Sequence, residues 1–199
     1  RQYAGSYYFK STLSDTWLEA DLKCQQVGGH LAHISNQAEN NYVDNIISTL
    51  SPTRGWIGLQ QNCNSGSFSE PAGGWEWTDG TPVTYTNWDA GEPNNYFGSS
   101  DPEDYVEMYV NGQWNDHTNP GEPPGGYVLE IEETYLWNTG ATTSSITVSP
   151  TATTTYWVDH SFGTNTEREY FIVNVGVCGC TDPSATNYNS LATIDDGSC

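Results

Sequence analysis

Between Tyr85 and Glu103 the chain runs through a long stretch with neither helical nor strand period, rich in Asn, Gly, Pro and acid. A loop of that length inside a compact domain is uncommon, and is functional or disordered. An ordered loop of this kind needs a scaffold, and the flanking sequence supplies one. Trp56-Ile57-Gly58-Leu59, Trp75-Glu76-Trp77, Tyr105 to Val110 and Tyr127 to Ile131 read as strands, with Asp79-Gly80 and Asn111-Gly112 as turn signals. Upstream, Asp15 to Val27 reads as a helix. Trp17, Ala20, Cys24 and Val27 fall on one face, Ser14 stands at the N-cap, and Gly28-Gly29 stops it. A second helix is expected from near Ser35, with Ala38, Tyr42, Ile46 and Leu50 at near-helical spacing.

The composition changes near residue 133. Thr134 to Val175 is dominated by Thr and Ser with alternating apolar residues (Ile146, Val148; Tyr156, Val158; Phe171, Val173, Val175), which predicts a small all-β module of about four strands. Cys180 to Cys199 is short and stapled. The expected organisation is a main domain over 1–132, a β module over 133–177 and a Cys/Asp-rich unit over 178–199. The separation 199 − 180 = 19 closes a loop worth roughly 3 kcal/mol if Cys180 and Cys199 pair, and so short a unit needs such a bond. Cys178 competes for the same partner.

Five Lys+Arg against 25 Asp+Glu give a formal charge of −20, which repels phosphate backbones and anionic lipid heads. Nucleic acid and bare membrane are therefore poor partners, and cations are good ones. No apolar run approaches the roughly 18 residues of a membrane helix. No apolar targeting segment opens the chain, so any export signal is expected to have been removed or to lie outside this sequence. Five cysteines with few lysines suit an extracellular, oxidising setting.

Three clusters carry the chemistry: Glu92-Pro93-Asn94, Glu103-Asp104 and Trp114-Asn115-Asp116. They offer carboxylates and side-chain amides, with no thiolate or imidazole in the inner set. Hard oxygen donors select Ca²⁺, which takes 6–8 oxygens at about 2.3–2.6 Å, over zinc or copper. Read alone, such acids describe any solvated loop; their order along the chain adds the specificity.

That order resembles the C-type lectin fold over residues 7 to about 132. Trp17…Ala20…Cys24…Gly28-Gly29…Leu31…Ile34 is similar to its first-helix signature, and Trp56-Ile57-Gly58-Leu59 to its core strand. Trp75-x-Trp77-x-Asp79-Gly80, Tyr85-x-x-Trp88, Gly91-Glu92-Pro93-Asn94, Glu103-Asp104 and Trp114-Asn115-Asp116 follow in family order. The resemblance implies an α+β double-loop fold with two helices and antiparallel sheets. It implies one principal Ca²⁺ held by Glu92, Asn94, Glu103, Asn115 and Asp116, with a cis Pro93 turning the flanking oxygens toward the ion. It also implies sugar binding through the same five residues, two vicinal hydroxyls coordinating the ion, with Tyr96 and His117 as further sugar contacts. The Glu-Pro-Asn order implies mannose, fucose or glucose-type glycans. Acid release of the ion is expected near or below pH 5 from unperturbed carboxylate values of about 4.

Some positions depart from the family. Tyr105 and Leu129 stand where cysteines are usual, which leaves Cys24 without its customary mate and a Cys24–Cys63 bond as one option. Gln60, Gln61 and Asn95 stand where related proteins place the acids of an auxiliary ion. The segment from Tyr135 to Pro150 resembles immunoglobulin-like repeats of bacterial secreted proteins. The stretch from Cys180 to Cys199 resembles short acidic repeats of modular bacterial surface proteins, with Asp182, Asp195 and Asp196 as candidate ligands of a second metal. The resulting expectation is a non-enzymatic, secreted or surface glycan binder of the adhesin kind. A protein- or ice-binding surface on the same fold is the alternative. A glycosidase using Glu92 and Glu103 has weak support, because no general acid shielded by apolar neighbours is evident.

Overall fold

The computed structural model describes residues 2–119 and 124–199. They divide into two compact units, the first up to Glu133 together with Phe162–Thr164, the second comprising Thr134–Ser161 and Asn165–Cys199.

In the first unit, β1 (Gln2–Tyr3) and β2 (Ser6–Ser11) lead into α1 (Trp17–Gln26). The N-cap is Thr16, not Ser14. Thr16 Oγ1 accepts from Glu19 N at 3.3 Å while Glu19 Oε2 accepts from Thr16 N at 3.0 Å, a capping box that Ser14 has no acid at the right spacing to complete. The helix ends in a Schellman motif. Gly29 N donates to Cys24 O and Gly28 N to Gln25 O, and Gly28 takes φ 76°, which a side chain would disfavour. Trp17, Ala20 and Cys24 are buried as expected, but Val27 is 44% exposed, because it is the cap and has already left the helical face.

After β3 (His30–Leu31), α2 runs Gln37–Ile47, capped by Asn36 Oδ1 accepting from Glu39 N at 3.0 Å. Then come β4 (Arg54–Gln61), β5 (Trp75–Trp77), β6 (Tyr105–Tyr109), β7 (Trp114–His117) and β8 (Tyr127–Trp137). The sheet order is β1-β2-β8-β4-β6-β7, with β3 on β8 and β5 on β4. Antiparallel pairs dominate, and β4 meets β8 in parallel at Trp56 and Tyr127 alone. One cluster of buried side chains joins Ile34, Val43 and Ile47 to Ile57, Leu59, Val106, Met108 and Trp114. A second sets Trp17, Ala20 and Cys24 of α1 against Leu31 and Trp56. Each large apolar side chain buried this way contributes about 1.5–3 kcal/mol. The two indoles of this second cluster are also satisfied: Trp17 Nε1 donates to Ile57 O and Trp56 Nε1 to Asp15 O, both at 2.9 Å.

In the second unit, the distal part of β8 pairs with β9 (Thr154–Phe162), which pairs with β10 (Asn165–Val173). The alternating segment around Ile146 and Val148 is not a strand. Period-two alternation reports an extended, half-covered chain, and here Ile146 and Val148 line a cavity with Trp137 and Phe171 without joining a ladder. The tail carries a short parallel pair, β11 (Cys178–Gly179) with β12 (Ile194–Asp195). A Cys180–Cys199 disulfide closes it, with 4.9 Å between Cα atoms. Cys24, Cys63 and Cys178 are free thiols. Cys24 is buried, which pushes its thiol up to about 12, while Cys63 is exposed, so the Cys24–Cys63 option does not form.

Candidate cation site

The edge strand β7 organises the long loop. Trp114 N donates to Asn87 O and Asp89 N donates to Trp114 O, both at 2.9 Å, so the loop enters by running alongside β7. Trp114 itself is fully buried, its indole donating to Asn40 Oδ1 at 2.8 Å with Trp77, Tyr85 and Trp88 packed around the ring. The Asn111-Gly112 turn serves the same end. Gly112 takes φ 75°, and its carbonyl accepts from Asn40 Nδ2 at 3.0 Å and Asn87 Nδ2 at 2.7 Å. Asn115 and Asp116, next along β7, are thereby brought beside the loop.

The loop then wraps its own backbone onto the acids. The Glu92–Pro93 bond is cis. Asn95 takes φ 47°, a left-handed conformation that Asn tolerates. Asp116 accepts from the N–H groups of Asn94 (3.0 Å to Oδ2) and Asn95 (2.7 Å). Glu103 Oε2 accepts from Tyr96 N at 2.5 Å, and Glu103 N donates to Asn95 Oδ1 at 3.2 Å. Asp116 is 1% exposed and Glu103 7%, so these carboxylates are buried by the loop they hold. Asp116 Oδ2 accepts both amides, whereas Glu103 Oε2 accepts one and keeps a further lone pair.

Glu92 closes the set. Its Oε2 is buried with no hydrogen-bond partner among the described residues. Burial, then the neighbouring Asp116, Glu103 and Asp89, raise its pKa to about 7. Glu103 is also raised, chiefly by burial. An orphaned carboxylate oxygen among other acids is an arrangement that a cation stabilises, and every inner donor is oxygen, so the residues fit calcium. Oxygens on opposite sides of one ion at 2.3–2.6 Å stand about 5 Å apart. Among the described residues, Glu92, Glu103 and Asp116 do not bring one oxygen each within 4.8 Å of one another.

Asn115 has a partner that the sequence reading missed. Glu107, directly across the β6–β7 ladder and 0% exposed, has Oε1 3.4 Å from Asn115 Nδ2 and 3.4 Å from Arg54 Nη1. Accepting the amide nitrogen leaves the Asn115 carbonyl oxygen for a cation. The available signal was an acid inside an otherwise apolar strand, Tyr105 to Val110. A second missed acid is Glu70, whose pKa is raised by burial and by the nearby charge of Asp104.

The remaining expected residues are placed as follows. Tyr96 is 78% exposed and Phe97 55%, their rings edge to face at 5.1 Å, so an aromatic pair caps the loop. His117 is half-buried and edge-on to Trp56 at 5.4 Å. Asp182, Asp195 and Asp196 each accept a backbone N–H two residues on, from Ser184, Gly197 and Ser198. They form local turns and are not, among the described residues, part of a three-ligand cluster. No helix of the described residues is long and apolar enough to cross a membrane.

The family model described as "Lectin C-type domain" matches residues 13–120. Among curated proteins the chain is 37% identical over 110 residues to the mouse low affinity immunoglobulin epsilon Fc receptor, covering 55% of this chain and 29% of that protein. It is 33% identical over 119 residues to human asialoglycoprotein receptor 2, covering 58% and 34%. The chain thus spans about a third of the length of the curated relatives it matches. Among solved structures it is similar to the cow CD23 carbohydrate-recognition domain in the presence of a GlcNAc2Man3 oligosaccharide (TM-score 0.53, 26% identity, 64% of this chain and 88% of that one). It is similar as well to a calcium-independent type II antifreeze protein (TM-score 0.52, 26% identity, 65% and 88%).

Proposed function

Because the chain belongs to the Lectin C-type domain family, we propose that it binds glycans of the mannose, fucose or glucose type through a calcium ion held by Glu92, Asn94, Glu103, Asn115 and Asp116. The observation that carries this reading is the buried, unpartnered Glu92 Oε2 beside Glu103 and Asp116 in an all-oxygen donor set. When bound, the ion supplies a Lewis-acidic centre for two vicinal sugar hydroxyls. The chain's own residues do the rest. Carboxylates accept the hydroxyl protons and the Asn94 and Asn115 amides donate to the remaining lone pairs. Glu107 fixes which end of the Asn115 amide faces the ligand. Tyr96, standing clear of the surface with Phe97 behind its ring, offers an apolar face to a pyranose. The chemistry is recognition, not turnover, carried by a domain over 1–132 with the β module and the Cys/Asp-rich unit appended, and it suits a secreted or surface protein. Calcium titration followed by ion density in crystals tests it: density among the five named residues is expected, and a saturating ion bound elsewhere refutes the assignment.

A second reading, an ice-binding surface that needs no ion, has its support in the likeness to the calcium-independent antifreeze protein. Thermal hysteresis measured in chelator separates the two, since the calcium-lectin reading predicts none.

A further inference from the structure

A second group of ligand-bearing side chains lies on β8, separated from the loop site by β4 and β6 in the sheet order. His30 of β3 pairs directly with Glu130 of β8. Glu132, two residues along the same strand, projects to the same face because strand side chains alternate. One ligand atom from each of the three lies within 4.8 Å of the other two.

The imidazole is oriented by its neighbour. His30 Nδ1 lies 2.9 Å from the Leu31 carbonyl oxygen, which can only accept, so Nδ1 carries the proton. Nε2 is then the free position, and it is buried with no hydrogen-bond partner among the described residues. Metal-bound histidines commonly donate their other ring N–H to a backbone carbonyl in this way. Glu130, 4% exposed, is fixed in turn by the Tyr8 hydroxyl at 2.8 Å and by His33 N donating to Oε2 at 3.0 Å. Such outer contacts hold a ligating carboxylate in place. Asp21 adds negative charge close enough to act on His30, and its Oδ1 is also buried without a partner among the described residues.

We propose that His30 Nε2, Glu130 and Glu132 form a binding site for a divalent transition metal of the zinc class. An imidazole nitrogen with two carboxylates is a zinc-type donor set, whereas calcium and magnesium take oxygen alone. This site shares no residue with the loop site, and the inference does not depend on sugar binding.

The test is a titration of the full chain with zinc chloride by calorimetry. Calcium is kept saturating so that oxygen-only sites are filled, and the exposed thiols of Cys63 and Cys178 are alkylated beforehand. One equivalent of zinc is expected, with affinity falling more than about tenfold in His30→Ala and again in Glu132→Gln. Glu132 is exposed, so the second variant keeps the fold if the first does not. His33→Ala, His117→Ala and His160→Ala should leave the affinity unchanged. Two results overturn the proposal. Absence of saturable zinc uptake leaves His30 a neighbour of the two carboxylates and nothing more. Uptake unaffected by both His30→Ala and Glu132→Gln puts the zinc elsewhere.

Discussion

Proton competition at Glu92 gives the sharpest quantitative prediction. Its folded value stands near 7 because burial and three neighbouring acids disfavour the charged form. A carboxyl raised in this way contributes stability fully present below its unfolded value of about 4.5 and lost as pH rises through about 7. The calcium-free protein should therefore become less stable across pH 4.5 to 7, and calcium should restore what is lost. Binding the ion requires the proton to leave. For one group with a value near 7, the proton-competition factor changes from about 2 at pH 7 to about 100 at pH 5, an affinity loss of about 50-fold. An unperturbed carboxyl at 4.5 would lose only about 1.3-fold over the same range. Release should thus begin near neutrality, above the pH 5 that unperturbed values imply. Calorimetry of calcium binding at both pH values, in buffers of different ionisation enthalpy, reads the affinity and the proton release together. A change below about twofold, with no proton released at pH 6.5, would refute the argument from burial.

Three other outcomes follow from the same geometry. Asn115→Ala and Asp116→Ala should each lose calcium and mannose together in calorimetric titration, and unchanged sugar affinity in a calcium-free variant would sink the shared-ligand account. Glu92→Gln with Asn94→Asp keeps the oxygen count and charge but exchanges acceptor and donor sides; it should weaken mannose and admit galactose in a glycan-binding assay while the ion stays. Glu107→Ala removes the acceptor from Asn115 Nδ2 and the partner of Arg54. Calcium affinity should fall about 10–100-fold, the usual cost of an outer-shell partner, with Glu107→Gln retaining more because it keeps an acceptor.

The parts of the molecule that repeat were legible in the sequence. Two helices, the Trp56–Leu59 strand and the Asn111-Gly112 hairpin all announce themselves through spacing and turn chemistry, and ordered motifs located the loop acids. What escaped was set by contacts between distant residues. Thr16 outcompetes Ser14 as a cap only because Glu19 lies three residues on, and Val27 escapes burial because the Schellman motif turns the chain there. Ile146 and Val148 alternate as a strand would, yet alternation says nothing about whether a ladder partner exists. Glu107 looks like a lone acid in an apolar run until the hairpin register sets it opposite Asn115. The value near 7 at Glu92 likewise arises from burial and from Asp116 and Glu103, which are separated from it in sequence.

The central claim is that sugar and calcium occupy one site together. Glycan binding measured on immobilised mannose-type oligosaccharides, first in calcium, then in EDTA, then with calcium restored, tests it most directly. The account predicts binding, loss, and full recovery. Glycan binding that persists in EDTA would contradict it, as would calcium bound tightly at the five named residues with no glycan retained.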